Sequence, residues 1–153
     1  MFAIVNDIIH PKLISMEKDF EIVDHTADVG VIAYGVNINQ AFANAARALF
    51  SIITELDSVA EVLHRDIELT APDQESLLVK WLNELIYLFD TENIIFKRFD
   101  ITKLSNTQLK ARSYGERVDS SKHKLKTGVK AATYHMLKVN KGDGCKVQVL
   151  FDI

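Results

Sequence analysis

Only one cysteine, Cys145, occurs in the 153 residues, so the chain has no partner for an internal disulfide and no thiolate set for a cysteine-rich zinc site. Prolines are down to two and glycines to six, which excludes a low-complexity or repeat-breaking composition. No apolar run approaches the roughly 18 residues that a membrane-crossing helix needs. The opening Met1-Phe2-Ala3-Ile4-Val5-Asn6-Asp7 lacks the basic start and apolar stretch of a secretory signal. A cytoplasmic address and no membrane partner are therefore expected. The chain also lacks an EF-hand loop, a His-Glu-x-x-His pair and a glycine-rich phosphate loop. No series of nucleophile, base and orienting group stands out, and with no histidine near it in sequence Cys145 reads as a buried thiol.

What is present is an ordinary globular balance, 48% apolar and 25% charged, long enough for one domain with a sizeable core. Residues 1–18 read as an N-terminal extension, broken by Pro11 and holding a second candidate start at Met16; residues 19–153 read as a single domain. The net charge of −3 conceals an asymmetry: residues 1–96 carry 16 Asp/Glu against 5 Lys/Arg, whereas residues 97–146 carry 4 against 13. The basic half suits phosphates, such as those of tRNA, or an acidic protein, or else it is the solvated and edge-protecting face of strands.

The apolar pattern predicts strands at 20–24 and 29–36 with a turn at 24–28. Asn37-Ile38-Asn39 offers helix caps, and Phe42, Ala45, Ala46, Leu49, Phe50 and Ile53 then fall on one helical face. An imperfect alternation over 59–71 reads as a strand. Pro72-Asp73 starts a second helix with a stripe of Leu77, Leu78, Trp81, Leu82, Leu85, Ile86 and Phe89. Beyond Asn93 the period becomes two, with strands at 94–104, 107–118, 128–139 and 145–151 and a hairpin turn at Gly142-Asp143-Gly144. Tyr134 and His135 would point to opposite faces of their strand, with either one in the core. The order β-β-α-β-α-β-β-β-β predicts an α+β fold, two helices covering one face of a mixed or antiparallel sheet. Each half has room for one strand–helix–strand–strand unit.

Two segments carry the candidate chemistry. Asp24-His25-Thr26-Ala27-Asp28 crowds two carboxylates and a histidine, and Phe151-Asp152-Ile153 sets a carboxylate beside the terminal one. If the fold joins them, Asp28, Asp152 and the Ile153 terminus form a cluster that either repels itself or holds a hard cation. The plainer alternative makes Asp28 a turn residue and Asp152 a solvated end. His25 would order the turn or act as a base, and Asp24 would cap it. Lys122-His123-Lys124-Leu125-Lys126 and Lys130 form the densest basic stretch, without the interleaved aromatics of a base-stacking surface.

His25-Thr26-Ala27-Asp28-Val29-Gly30 with Tyr34-Gly35, then Val129-Lys130-Ala131-Ala132-Thr133-Tyr134-His135, then Phe151-Asp152-Ile153, together resemble the archease family over about residues 19–153. The resemblance implies a strand–helix–strand–strand module with a second unit inserted. It also implies an accessory role, without enzymatic activity, beside the RtcB-type RNA ligase of tRNA splicing and RNA repair. That ligase uses GTP and Mn²⁺, and the family promotes its guanylylation and multiple turnover. The implied metal ligands are Asp28, Asp152 and Ile153, with Ca²⁺ foremost and Mg²⁺ or Mn²⁺ as alternatives. Asp24, His25, Lys130 and His135 take supporting roles. Competing expectations are a chaperone-like modulator of a tRNA methyltransferase and a metal-dependent phosphoryl hydrolase.

Overall fold

The computed structural model describes residues 18–24 and 27–153. Its elements are β1 (Phe20–Asp24), β2 (Asp28–Gly35), α1 (Ile38–Ile53), a 3₁₀ turn (Leu56–Ser58), β3 (Leu63–Thr70), α2 (Gln74–Glu92), β4 (Ile94–Leu104), β5 (Gln108–Arg117), β6 (Ala131–Asn140) and β7 (Cys145–Asp152). The N-terminal extension expected at 1–18 lies outside the described residues apart from Lys18.

The helices start where the sequence offers acceptors. The Asn37 side chain accepts from the Gln40 N–H at 2.8 Å and Asp73 from the Ser76 N–H at 2.8 Å, each filling an otherwise orphaned donor of the first turn. Asn93 ends α2 in the left-handed conformation, φ 58°, which its short polar side chain tolerates better than most. All six apolar positions expected on the face of α1 are buried. On α2 the stripe is buried from Leu77 to Ile86, while Phe89 is only half covered.

The strands form two antiparallel sheets rather than one: a four-stranded sheet in the order β1-β2-β7-β6 and a three-stranded sheet in the order β3-β5-β4. Two strand–helix–strand–strand units result. The outer one is β2-α1-β6-β7, preceded by β1, and the unit β3-α2-β4-β5 is inserted between α1 and β6. A break between sheets is invisible in a list of strands, because alternation marks a strand without naming its neighbour.

Both units feed one core. Helix α1 packs on β2 and β4, and α2 packs on β6. Trp81, fully buried on α2, stands edge-on to Phe99 of β4 at 5.8 Å and donates its indole N–H to the Phe42 carbonyl of α1 at 3.0 Å. Phe50 of α1 meets Phe96 edge-on and Phe99 in a stacked pair. At Gly115 of β5 a Cβ would lie 1.9 Å from the Ile95 carbonyl oxygen, so only glycine lets β4 approach there, beside the bulge between Phe96 and Arg98.

Three local expectations change. Cys145 is half-buried at the rim of the core rather than buried, because it opens β7 at the hairpin. Residues 128–130 precede β6 instead of belonging to it. Neither Tyr134 nor His135 is in the core; both are exposed, because β6 leaves its register between Thr133 and Lys138.

Candidate functional site

The inserted unit separates β2 and β7 in sequence, yet the two strands pair side by side in the four-stranded sheet. Their register sets Asp28 directly opposite Asp152. Directly opposed residues of an antiparallel pair share a face, with Cβ atoms about 5 Å apart. Val29, Val31 and Ala33 on β2 and Val147, Val149 and Phe151 on β7 are buried in the core, so alternation places the two aspartates on the other, outward face. Asp28 is half-buried and Asp152 exposed, and the adjoining Ile153 is 41% exposed.

Two carboxylates facing each other across a strand pair destabilise it, unless a cation lies between them. Every ligand atom this row presents is oxygen, which fits a hard divalent cation better than a soft one. On the far side of β7, Ala131 is the partner of Asp152, and the Lys130 N–H donates to the Asp152 carbonyl at 2.8 Å. The exposed Lys130 thus sits at the same end of the sheet. Asp24 pairs with Val29, so its side chain belongs to the opposite face from Asp28. His25 lies outside the described residues. His135 lies in the irregular part of β6, beyond the Thr133–Leu150 pair, and is not brought to the acidic row.

One contributor escapes the sequence patterns. The Asn83 carboxamide on α2 accepts from the Ala132 N–H at 2.8 Å and donates to the Ala132 carbonyl at 3.4 Å. It thereby pairs the free edge of β6 next to the acidic row. The signal was a lone amide following Trp81-Leu82 in an otherwise apolar stripe.

Part of the basic half is paired with carboxylates, four of its side chains with those of the acidic half. Arg112 pairs with Asp66, Lys110 with Glu68, Arg98 with Glu61 and Asp100, Lys122 with Glu116, and Lys126 with Glu55. The stretch 122–126 closes the end of α1: Lys126 N–H donates to the Ile53 carbonyl and Thr54 Oγ1 to the Lys124 carbonyl, so its backbone satisfies groups the last turn leaves free. His123 is buried; its Nδ1 accepts from the Asp119 N–H at 2.9 Å, which leaves Nε2–H to donate to Glu116 at 3.0 Å.

Burial alone would raise the Glu116 carboxyl. The Lys122 ammonium, the Ala60 N–H and His123 outweigh it and hold the group down at about 2. A depressed acid stabilises the fold above its unfolded value, near 4.5, and loses that contribution as pH falls toward 2. Glu116→Gln is therefore expected to lower stability at pH 7 and to flatten the acid limb between pH 4.5 and 2, measured by denaturant unfolding across that range.

Among the described residues no helix is long and apolar enough to cross a membrane. Residues 20–153 match the model of the Archease protein family (MTH1598/TM1083). The protein archease of Methanosarcina mazei is 38% identical over 144 residues, covering 91% of this chain and 99% of that protein. That of Pyrococcus abyssi is 40% identical over 128 residues, covering 81% and 89%. The solution structure of Methanobacterium thermoautotrophicum protein 1598 is similar, with a TM-score of 0.77 and 35% identity, over 88% of this chain and 99% of that one. The crystal structure from Thermotoga maritima described as an archease, possible chaperone, shares the fold at a TM-score of 0.59 and 24% identity, over 87% and 96%.

Proposed function

This chain belongs to the archease family, and from that premise we propose that it is an activator, not itself an enzyme, of a GTP-dependent RtcB-type RNA ligase of tRNA splicing and RNA repair. It promotes guanylylation of the ligase and its multiple turnover. The observation that carries this reading is the register of Asp28 opposite Asp152, with the last residue of the sequence beside them.

Asp28, Asp152 and the Ile153 carboxylate or carbonyl would hold a divalent cation, with Ca²⁺ first and Mg²⁺ or Mn²⁺ as the alternatives that an all-oxygen set accepts. Such an ion supplies positive charge to phosphate oxygens. The chain's own part is placement. Both aspartates stand on strands whose other faces are locked into the core, so the acidic end is presented without ordering a loop first. Lys130, tied to Asp152 through the backbone, adds a cationic side chain at the same end. Organising groups already in the ligase is enough to raise its rate.

The test is to mix the protein with its cognate ligase, GTP and Mn²⁺ and to follow the guanylylated fraction and RNA turnover. The expected result is acceleration of both; no acceleration overturns the reading. Phosphate release or RNA cleavage by this protein alone would assign it to a hydrolase instead.

A C-terminal extension gives a separate prediction. Residues added after Ile153 convert its carboxylate into a peptide carbonyl and remove one negative charge. Cation affinity, measured by calorimetry, is expected to fall at least tenfold. Unchanged affinity would mean that the terminal charge takes no part.

A further inference from the structure

Strand β6 departs from its neighbour at one place. Between the pairs Thr133–Leu150 and Lys138–Gln148, the four residues Tyr134, His135, Met136 and Leu137 stand opposite the single Val149. The surplus chain bulges outward. Met136 is held at φ 56°, a conformation that L-residues with bulky side chains avoid, and the Gln148 side chain pins it there by donating to the Met136 carbonyl at 2.9 Å. Tyr134 is 61% exposed and Met136 48%, and His135 between them is exposed too. Neither a strained backbone nor two large exposed apolar side chains serves the core.

Position supplies the meaning. Ala131 is level with Asp152 and Tyr134 only three residues further along, so the bulge begins about 10 Å from the acidic row. A stable protein interface covers about 800 Å² on each partner, a disc of roughly 16 Å radius. A protein that receives the Asp28–Asp152 end therefore reaches the bulge. Tyrosine and methionine are enriched at the centres of such contacts. Lys130 and Lys138, on either side, are exposed and form no ion pair with the described residues.

We propose that the Tyr134–Leu137 bulge is the docking knuckle of this protein, seated in an apolar recess with an acidic rim on the same partner that receives the Asp28–Asp152 end. The assignment rests on the activator reading above and deepens it. The aspartates act on the partner's rate, and the bulge sets how tightly the partner is held.

The experiment is a titration of wild type, Tyr134→Ala and Met136→Gly into a fixed concentration of ligase with GTP and Mn²⁺, reading guanylylation. Both variants are expected to need at least ten times the wild-type concentration for half-maximal acceleration and to reach the same plateau. Glycine accepts a positive φ, so Met136→Gly is expected to melt at the wild-type temperature or above it. Weaker docking then cannot be ascribed to unfolding. Wild-type acceleration with unchanged half-maximal concentrations in both variants overturns the docking assignment alone, as does a lowered plateau at unchanged half-maximal concentration. Loss of a self-associated form in the variants, seen by sedimentation with the ligase titration unchanged, assigns the knuckle to a second copy and also overturns it. No acceleration by wild type overturns the activator reading and the docking assignment together.

Discussion

Asp28→Ala and Asp152→Asn each abolish ligase acceleration while leaving the protein folded: this is the expected result with the largest functional effect. Both residues face away from the core, in a register held by the surrounding pairs of β2 and β7. Their removal empties no cavity. The stability measurements make the prediction sharper than loss of activity alone. In chelator each variant should be at least as stable as wild type, because it loses one of two like charges opposed across the strands. Added Ca²⁺ at a hundred times its dissociation constant should stabilise wild type by about 2.7 kcal/mol. For a chain of this length that is a rise of roughly 5–10 °C in melting temperature. The variants should show little of it. A variant that unfolds in chelator would give the aspartates a structural role instead, and equal cation stabilisation in wild type and variants would remove the metal site.

The largest expected loss of stability comes from Trp81→Ala. Trp81 is fully buried where α1, α2 and β4 meet, and it joins them by packing on Phe99 and by the indole bond to Phe42. Emptying such a site costs about 3–5 kcal/mol, a large share of the roughly 5–15 kcal/mol that holds a domain together. The urea midpoint should drop by roughly 1–3 M at an unchanged slope. Trp81→Phe keeps most of the volume and loses the hydrogen bond, so it should cost about 1–2 kcal/mol. A loss under 1 kcal/mol for the alanine variant would mean that the two units do not share this contact as the structure indicates.

How much of this was legible before folding follows from what each signal measures. The face of α1, the stripe of α2 and the caps at Asn37 and Asp73 are local properties of about four to twenty consecutive residues, and they were readable. The α+β class followed from the order of elements. The division into two sheets did not, since period-two alternation is the same whichever strand lies alongside. The ion pairs of the basic half were hidden for a similar reason. Lysines and arginines of residues 97–146 meet carboxylates from the acidic half only after the strands align, as Arg112 meets Asp66 and Lys126 meets Glu55. The alternation that placed either Tyr134 or His135 in the core failed where extra residues enter β6, and no composition marks a bulge of that kind.

By itself the sequence determined that Asp28 and Asp152 are acids at element ends, one at a turn and one beside the final residue, and that two amphipathic helices bury a common core. Only the tertiary structure decided that these acids face each other. An antiparallel pair repeats every two residues, so a slip of one would send Asp152 to the other face. The buried rows Val29–Phe151, Val31–Val149 and Ala33–Val147 prevent that slip. The core therefore sets the register, and the register places the site.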